Sequence, residues 1–294
     1  MKRCLSILIF VLLISGFLAH LVQVVGNYSF AQSISSDECD DDEDDGEQST
    51  KMGSGCTGCF EGASSGYVYI STSDGIQKRT TEGLLVKIYR SGEESQFAGL
   101  ATDLSGRLYA ADVYANNLLI FEGLDETGKN IGTGLFNPVS MEFDFLSNIN
   151  IKCLNSNEIK RFDYAGKQIS SVVLNEPING YCFYPDRNIM LYSNKNGEIK
   201  SSEIYSANSR SLTFSNGFTG NGYSMKILTK GNILVADGET IVRLDSSGKL
   251  IQTYDVPAHD YWYALCLDPD GKSFWCSDFC NSNVWKFDIE TGKQ

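Results

Sequence analysis

The residues able to do chemistry are few, and the histidines set the first bound. The chain has two of them; His20 lies in an N-terminal apolar run, so His259 alone remains for any site in the rest of the chain. Zinc sites built on two or three imidazoles are thereby excluded within one chain, and a Ser-His-Asp triad would have to use His259. It sits in Pro257-Ala-His-Asp-Tyr-Trp-Tyr263, beside three aromatic residues. Of nine cysteines, Cys4 falls in the apolar run and eight remain: Cys39, Cys56, Cys59, Cys153, Cys182, Cys266, Cys276 and Cys280. An even set in an exported chain is compatible with disulfides, whose pairing the spacing leaves open. Cys276 and Cys280 flank one turn and could bridge it, whereas Cys182 and Cys266 read as buried thiols. Cys56-Thr-Gly-Cys59 has redox or metal-knuckle spacing, but it lies in a Gly-rich stretch with no second such pair, which favours a disulfide. Asp40-Asp-Asp-Glu-Asp-Asp45 lacks the glycine and spaced acceptors of a calcium loop and reads as solvated charge.

The elements that must position such groups follow a weak repeat. Aligned turn positions fall at Gly66, Gly106, Ser147, Arg187, Gly231 and Gly271, in steps of 40, 41, 40, 44 and 40 residues. A period of this size marks one supersecondary unit repeated in an array. Within each copy, short runs rich in Val, Ile, Tyr, Phe and Trp alternate with Gly, Asn, Asp and Ser clusters, the pattern of strands and tight turns. Examples are strands at Gly99 to Asp103, Leu108 to Asp112, Glu158 to Phe162, Ile241 to Leu244, Val284 to Phe287 and Ile251 to Val256. Four antiparallel strands every forty residues specify an all-β fold, a six-bladed β-propeller, whose closed ring leaves only short edges. The expected blades are 66–96, 97–136, 137–176, 177–220, 221–260 and 261–294. Blade one has no evident inner strand before Gly66, so the segment near Cys59-Phe60 would have to supply one. Asp74 to Glu82 reads as a lengthened connection in that blade, a place where a binding surface could be shaped.

Upstream of the repeat, residues 1–31 read as a secretory signal: Met-Lys-Arg, an apolar run from Cys4 to Val25, and Ser29-Phe-Ala31. Residues 32–65 read as a disordered, acidic, Ser/Gly-rich spacer with too few apolar groups to offset ordering entropy. The expected location is therefore secreted, cell-surface or periplasmic, with no membrane span apart from the signal segment. Formal charge is −13, and −15 once Lys2 and Arg3 are subtracted. Such a surface repels phosphate backbones, so nucleic acid is excluded as a partner.

The motifs Leu-Ala-Thr-Asp-Leu-Ser-Gly-Arg-Leu-Tyr-Ala-Ala-Asp112 and Cys266-Leu-Asp-Pro-Asp-Gly-Lys272 resemble those of NHL-repeat and gluconolactonase-like six-bladed propellers. The likeness covers about 230 residues of the chain, and Ser147 and Arg187 depart from it at the turn glycine. Pro177-Ile-Asn-Gly-Tyr-Cys-Phe-Tyr-Pro-Asp186 is similar to the stretch of those enzymes that carries an asparagine metal ligand. By that resemblance Asn179 is the candidate ligand for calcium or magnesium, a carboxamide oxygen suiting a hard cation. The enzymes' aspartate falls at Asn221 here, and their first-blade glutamate has no counterpart. Lyases of the virginiamycin B type, similar in fold, employ a histidine with magnesium, which makes His259 the candidate catalytic residue. Lactone hydrolysis needs a carboxylate to hold metal and move a proton. The expectation is thus a non-catalytic module binding a protein or carbohydrate on one propeller face, with no cofactor. The alternative is a divalent-metal-dependent hydrolase or lyase, in which Asn179 would converge with Glu142, Asn221, Asp260 or His259. A purely structural envelope or matrix repeat is a third reading.

Overall fold

Hydrophobic strands that are buried on both faces must stack against one another, and the computed structural model shows how. It describes residues 60–62, 66–90, 95–103, 105–122, 127–204, 212–214, 218, 220–257, 259, 261–268, 270–280 and 283–294, all within the unit Glu47–Gln294. The signal segment, most of the acidic spacer, Cys39, Cys56, Cys59 and Asp260 lie outside the described residues. Six antiparallel sheets follow in chain order. Blade one is β1 (Phe60–Gly62), β2 (Tyr67–Thr72), β3 (Gly75–Thr80) and β4 (Leu85–Tyr89); blade two is β5 (Phe97–Thr102), β6 (Leu108–Asp112), β7 (Asn117–Phe121) and β8 (Lys129–Gly132). Blade three is β9 (Pro138–Phe143), β10 (Ile149–Cys153), β11 (Glu158–Phe162) and β12 (Gln168–Val173). Blade four is β13 (Ile178–Phe183), β14 (Ile189–Asn194), β15 (Ile199–Glu203) and β16 (Leu212–Phe214). Blade five is β17 (Ser224–Ile227), β18 (Ile233–Ala236), β19 (Ile241–Leu244) and β20 (Leu250–Tyr254). Blade six has three strands among the described residues: β21 (Trp262–Leu267), β22 (Ser273–Asp278) and β23 (Asn283–Asp288). Successive first strands are neighbours around the centre, and β1 lies against both β5 and β21, which closes a six-bladed β-propeller.

The hairpin between the first and second strands explains the repeat. Asp103 accepts the backbone N–H groups of Ser105 and Arg107 at 2.9 and 3.0 Å, and Asp144 does the same for Leu146 and Asn148. A short acceptor at that position forms an Asx turn and leaves the residue three places on in the left-handed region. Gly106, Ser147 and Gly271, three places after Asp103, Asp144 and Asp268, have positive φ there; Gly231 does too, but follows Leu228 and closes its turn through the Leu228 carbonyl, with no side-chain acceptor. Arg187 does not; its turn closes instead with the Ile189 N–H on the Arg187 carbonyl at 2.9 Å.

Each seam between adjacent blades carries its own hydrophobic cluster. Ala101, Tyr109, Ala111 and Leu118 of blade two meet Met141, Ile149, Ile151 and Phe162 of blade three. At the closing seam Val68 and Ile70 pack against Ala264, Cys266, Trp275 and Val284. Each large side chain so buried contributes about 1.5–3 kcal/mol.

Blade one bears out one expectation and differs from another. β1 at Phe60, within the stretch read as spacer, is the inner strand that the segment near Cys59-Phe60 was required to supply. The segment Asp74 to Glu82 is no long connection: after a tight turn at Ser73 and Asp74 it forms most of β3, and Ile88 belongs to the fourth strand. The strand went unread because Gln77, Lys78 and Arg79 interrupt its apolar pattern. Lys78 is held as a strand residue by its stem and by its ammonium, 3.9 Å from the Tyr67 ring centroid.

Candidate functional site

First strands converge at the centre, and how closely they can approach depends on what projects from them. At Gly180 in β13 a Cβ would stand 2.4 Å from the carbonyl oxygen of Gly222, and at Gly99 in β5 it would stand 2.9 Å from Met141 N. Both glycines therefore let one blade's backbone meet the next. Ser193 Oγ ties the same junction, donating to the Gly222 carbonyl at 2.5 Å and accepting from Gly180 N–H at 3.0 Å. The Asn-Gly pair at 179–180 is thus part of ring closure between blades four and five.

The converging strands leave a central cavity of about 60 Å³, lined among others by Ser140, Glu142, Lys152, Asn179, Lys226 and Tyr263. Glu142 of β9 and Lys226 of β17 form an ion pair of 2.5 Å across this space, past the intervening blade four. Glu142 is therefore neutralised by an ammonium. Tyr223, just ahead of β17, also lines the cavity. Its ring lies 5.4 Å from that of Tyr261 and 5.8 Å from that of Tyr263, so the mouth carries a cluster of half-buried aromatics. Burial, and then the neighbouring Tyr223 hydroxyl, pushes the Tyr261 phenol well above its ordinary range.

Asn179 is at this mouth, with its amide nitrogen donating to the backbone carbonyls of Asn221 (2.8 Å) and Asn194 (3.2 Å). Its side chain braces the junction between two blades, and Asn221 meets it through a main-chain oxygen. His259 is placed elsewhere, on the connection between blades five and six. It stacks on Trp262 with ring centroids 5.0 Å apart. Nε2 lies 2.8 Å from the Glu239 carbonyl and Nδ1 3.1 Å from the Val256 carbonyl. Nδ1 lies 2.7 Å from Asp255 Oδ1. Asn179 and His259 are not brought together in the cavity lining. No group of three His, Cys, Asp or Glu able to hold a metal occurs among the described residues. The aspartates of the repeat motif are occupied by backbone: Asp112 accepts from Tyr114 and Ala115 N–H, and Asp278 from Tyr261 N–H.

Cys276 and Cys280 form no bridge across their turn. Burial pushes the thiols of Cys182 and Cys276 up, which keeps them protonated and unreactive.

One residue of the cavity carries chemistry that the sequence reading missed. Lys152 of β10 is 5% exposed and lines the cavity. Burial pushes its ammonium down to about 8. Counting back one residue from Thr72, Asp112, Cys153, Asn194, Asp237 and Asp278, at or just past the ends of the second strands, the position matching Lys152 holds Ser71, Ala111, Ser193, Ala236 and Ser277 in the other blades. Superposing the repeats would have exposed Lys152 as the single long, charged side chain in a column of small ones.

No family model matches the chain, and no curated protein does. Among solved structures it is similar to a chain of Kuenenia stuttgartiensis hydrazine synthase, with a TM-score of 0.60 and 15% identity over 79% of this chain and 83% of that one. At that identity the likeness shows the propeller fold. As many as 1619 solved chains share similarity with it, so the fold by itself does not select a function. No helix among the described residues is long and apolar enough to cross a membrane.

Proposed function

We propose that this chain is an exported propeller whose channel mouth binds a carbohydrate, acting as a recognition module rather than a hydrolase. The observation that carries the reading is the mouth itself. Tyr223, Tyr261 and Tyr263 offer aromatic surface with polar tips, while Asn179 and the Glu142–Lys226 pair stand beside it as hydrogen-bonding groups. Rigid rings with a few placed polar groups suit ligands that are apolar on one face and hydroxylated at the edge. The charged start and apolar run of residues 1–31 support export to the cell surface, periplasm or medium. The Asp-x-x-Gly hairpins support grouping the chain with NHL-repeat propellers.

The test is a thermal melt of the full chain against a panel of neutral oligosaccharides. A ligand of the folded state at a hundred times its dissociation constant adds about 2.7 kcal/mol, and that shift should vanish in Tyr223→Ala and Tyr263→Ala. A midpoint raised instead by millimolar calcium, and lost in Asn179→Ala, would overturn the reading in favour of a metal-dependent hydrolase or lyase.

A further inference from the structure

Around Lys152 the buried polar groups are unusually poorly matched. Lys152 is itself almost wholly buried and lines the central cavity. Directly across the β9–β10 pairing is Ser140, whose Oγ is buried with no partner among the described residues. Two residues along β10, on the same side of the strand, Asn150 has a buried Oδ1 that is likewise without one. The opposite side of β10 packs into blade two through Ile149, Ile151 and Cys153. The polar side turns toward blade four, where Tyr181 donates its hydroxyl to the Asn150 carbonyl at 2.6 Å. A buried lysine and two buried oxygens with no partner among the described residues, all in one place, oppose folding. The other blades avoid this with Ser or Ala at the lysine position.

We propose that Lys152 is a nucleophilic amine, and that the central cavity takes a small carbonyl compound bearing a carboxylate, such as a short 2-oxo acid, which the amine captures as an imine. The amine lone pair adds to the carbonyl carbon to give a carbinolamine, whose hydroxyl then leaves as water while nitrogen gives up its second proton. One C=N bond forms, one C=O bond breaks, and no oxidant or reductant is needed. Ser140, which lines the cavity opposite Lys152, has a hydroxyl with no competing partner among the described residues, and Asn150 Oδ1 is buried behind it in the same condition. Size and charge both fit. At roughly 12 Å³ of such space per water-sized group, the cavity of about 60 Å³ holds a molecule of only a few heavy atoms. Lys152 and Lys226 set two positive charges against the one carboxylate of Glu142, so the lining attracts an anion although the protein is acidic overall. Glu142 and Lys226 in the cavity, Lys195 from the β14–β15 turn, the adjacent Cys153 and the Tyr181 hydroxyl are the titratable groups around it. A lysine that loses its proton near pH 8 presents far more free amine at neutral pH than an exposed one.

The proposal is independent of the carbohydrate reading. Its test is reductive trapping of the full chain with glyoxylate and cyanoborohydride, followed by peptide mapping. The expected result is labelling of Lys152 about tenfold or more faster than exposed lysines, such as Lys129 and Lys249. The rate should rise through pH 8, and the fast site should be absent in Lys152→Arg, which keeps the charge. Neutral glycolaldehyde should label it more slowly. Labelling of Lys152 no faster than of Lys249 in the wild-type chain would overturn the proposal, even if no variant folds. Equal rates with glycolaldehyde would overturn the preference for an acid.

Discussion

The seam between blades five and six and the inner part of blade three solve the same packing problem with opposite materials. In the first, Tyr254, Trp262, Phe274 and Phe287 pack edge to face or stacked, with ring centroids 5.0 Å (Tyr254–Phe274) to 6.0 Å (Tyr254–Phe287) apart. Two buried indole N–H groups, those of Trp262 and Trp285, have no partner among the described residues. In the second, Asp144 and Arg161 form a 2.6 Å ion pair at 0% and 4% side-chain exposure, and Lys152, Asn150 and Ser140 bring further polar atoms into the interior. Apolar burial in the aromatic seam is favourable wherever it is placed. Buried polar groups stabilise only when each one is matched. The aromatic seam is therefore where the ring draws stability, and blade three is where it gives some up.

The sharpest way to break that contrast is Phe287→Ala. The ring is fully buried and stacks on Phe274 at 5.3 Å, so its removal leaves a cavity that rigid strands cannot refill. A loss of about 4 kcal/mol is expected, read as a lowered urea midpoint with an unchanged slope.

Next is Arg161→Met, which strands Asp144. Burial pushes that carboxyl up, but the Arg161 guanidinium, the Asn148 N–H and Asn150 together hold it below the ordinary carboxylate range. Its contribution is therefore present above the unfolded-state pKa of about 3.9 and lost as pH falls through the lower folded value. The variant should lose about 3 kcal/mol at neutral pH. The gap to wild type should shrink below pH 4, where the stranded carboxyl takes up a proton. Paired urea titrations at pH 7 and pH 3.5 check the sign.

How far these features could be read from sequence depends on whether they repeat. The strands Leu108–Asp112, Glu158–Phe162 and Ile241–Leu244 have the bounds expected of them, because each alternates or runs apolar between turn residues of fixed chemistry. The third strand of blade one was not legible, since Gln77, Lys78 and Arg79 carry no apolar signal and only the neighbouring Tyr67 ring shows why they belong to a sheet. The site was less legible still. Glu142 and Lys226 are 84 residues apart and meet only when the ring closes. Asn179 looked like a ligand because its neighbours resemble a ligand motif, whereas the adjacent Gly180 is required by a backbone contact across a seam.

The comparison is sharpened from the other side by Lys152→Met, which should stabilise. An amine pushed down to about 8 from 10.5 means the unfolded chain binds more protons between those values. Stability should therefore rise with pH across that window, and below it the full penalty of the buried charge applies. Methionine keeps the length of the stem without the charge, so a gain of about 2 kcal/mol is expected at pH 7. It should fade toward pH 10. A variant no more stable than wild type at pH 7 would mean that the ammonium is matched after all.

The smallest effect belongs to His259→Ala, and it separates the connection from the cavity. The ring is held by stacking on Trp262, by its contact with the Glu239 carbonyl and by Asp255, whose half-exposed carboxylate lets water screen the contact. None of these partners lines the central cavity. Removing the ring costs its surface polar contacts and one part-buried aromatic contact, together about 1 kcal/mol, because Trp262 remains covered on its other side by Phe287. The melting midpoint should fall slightly while the rate of Lys152 trapping stays unchanged. A histidine acting on a cavity ligand would give the reverse pattern: little change in stability and a large change at the channel.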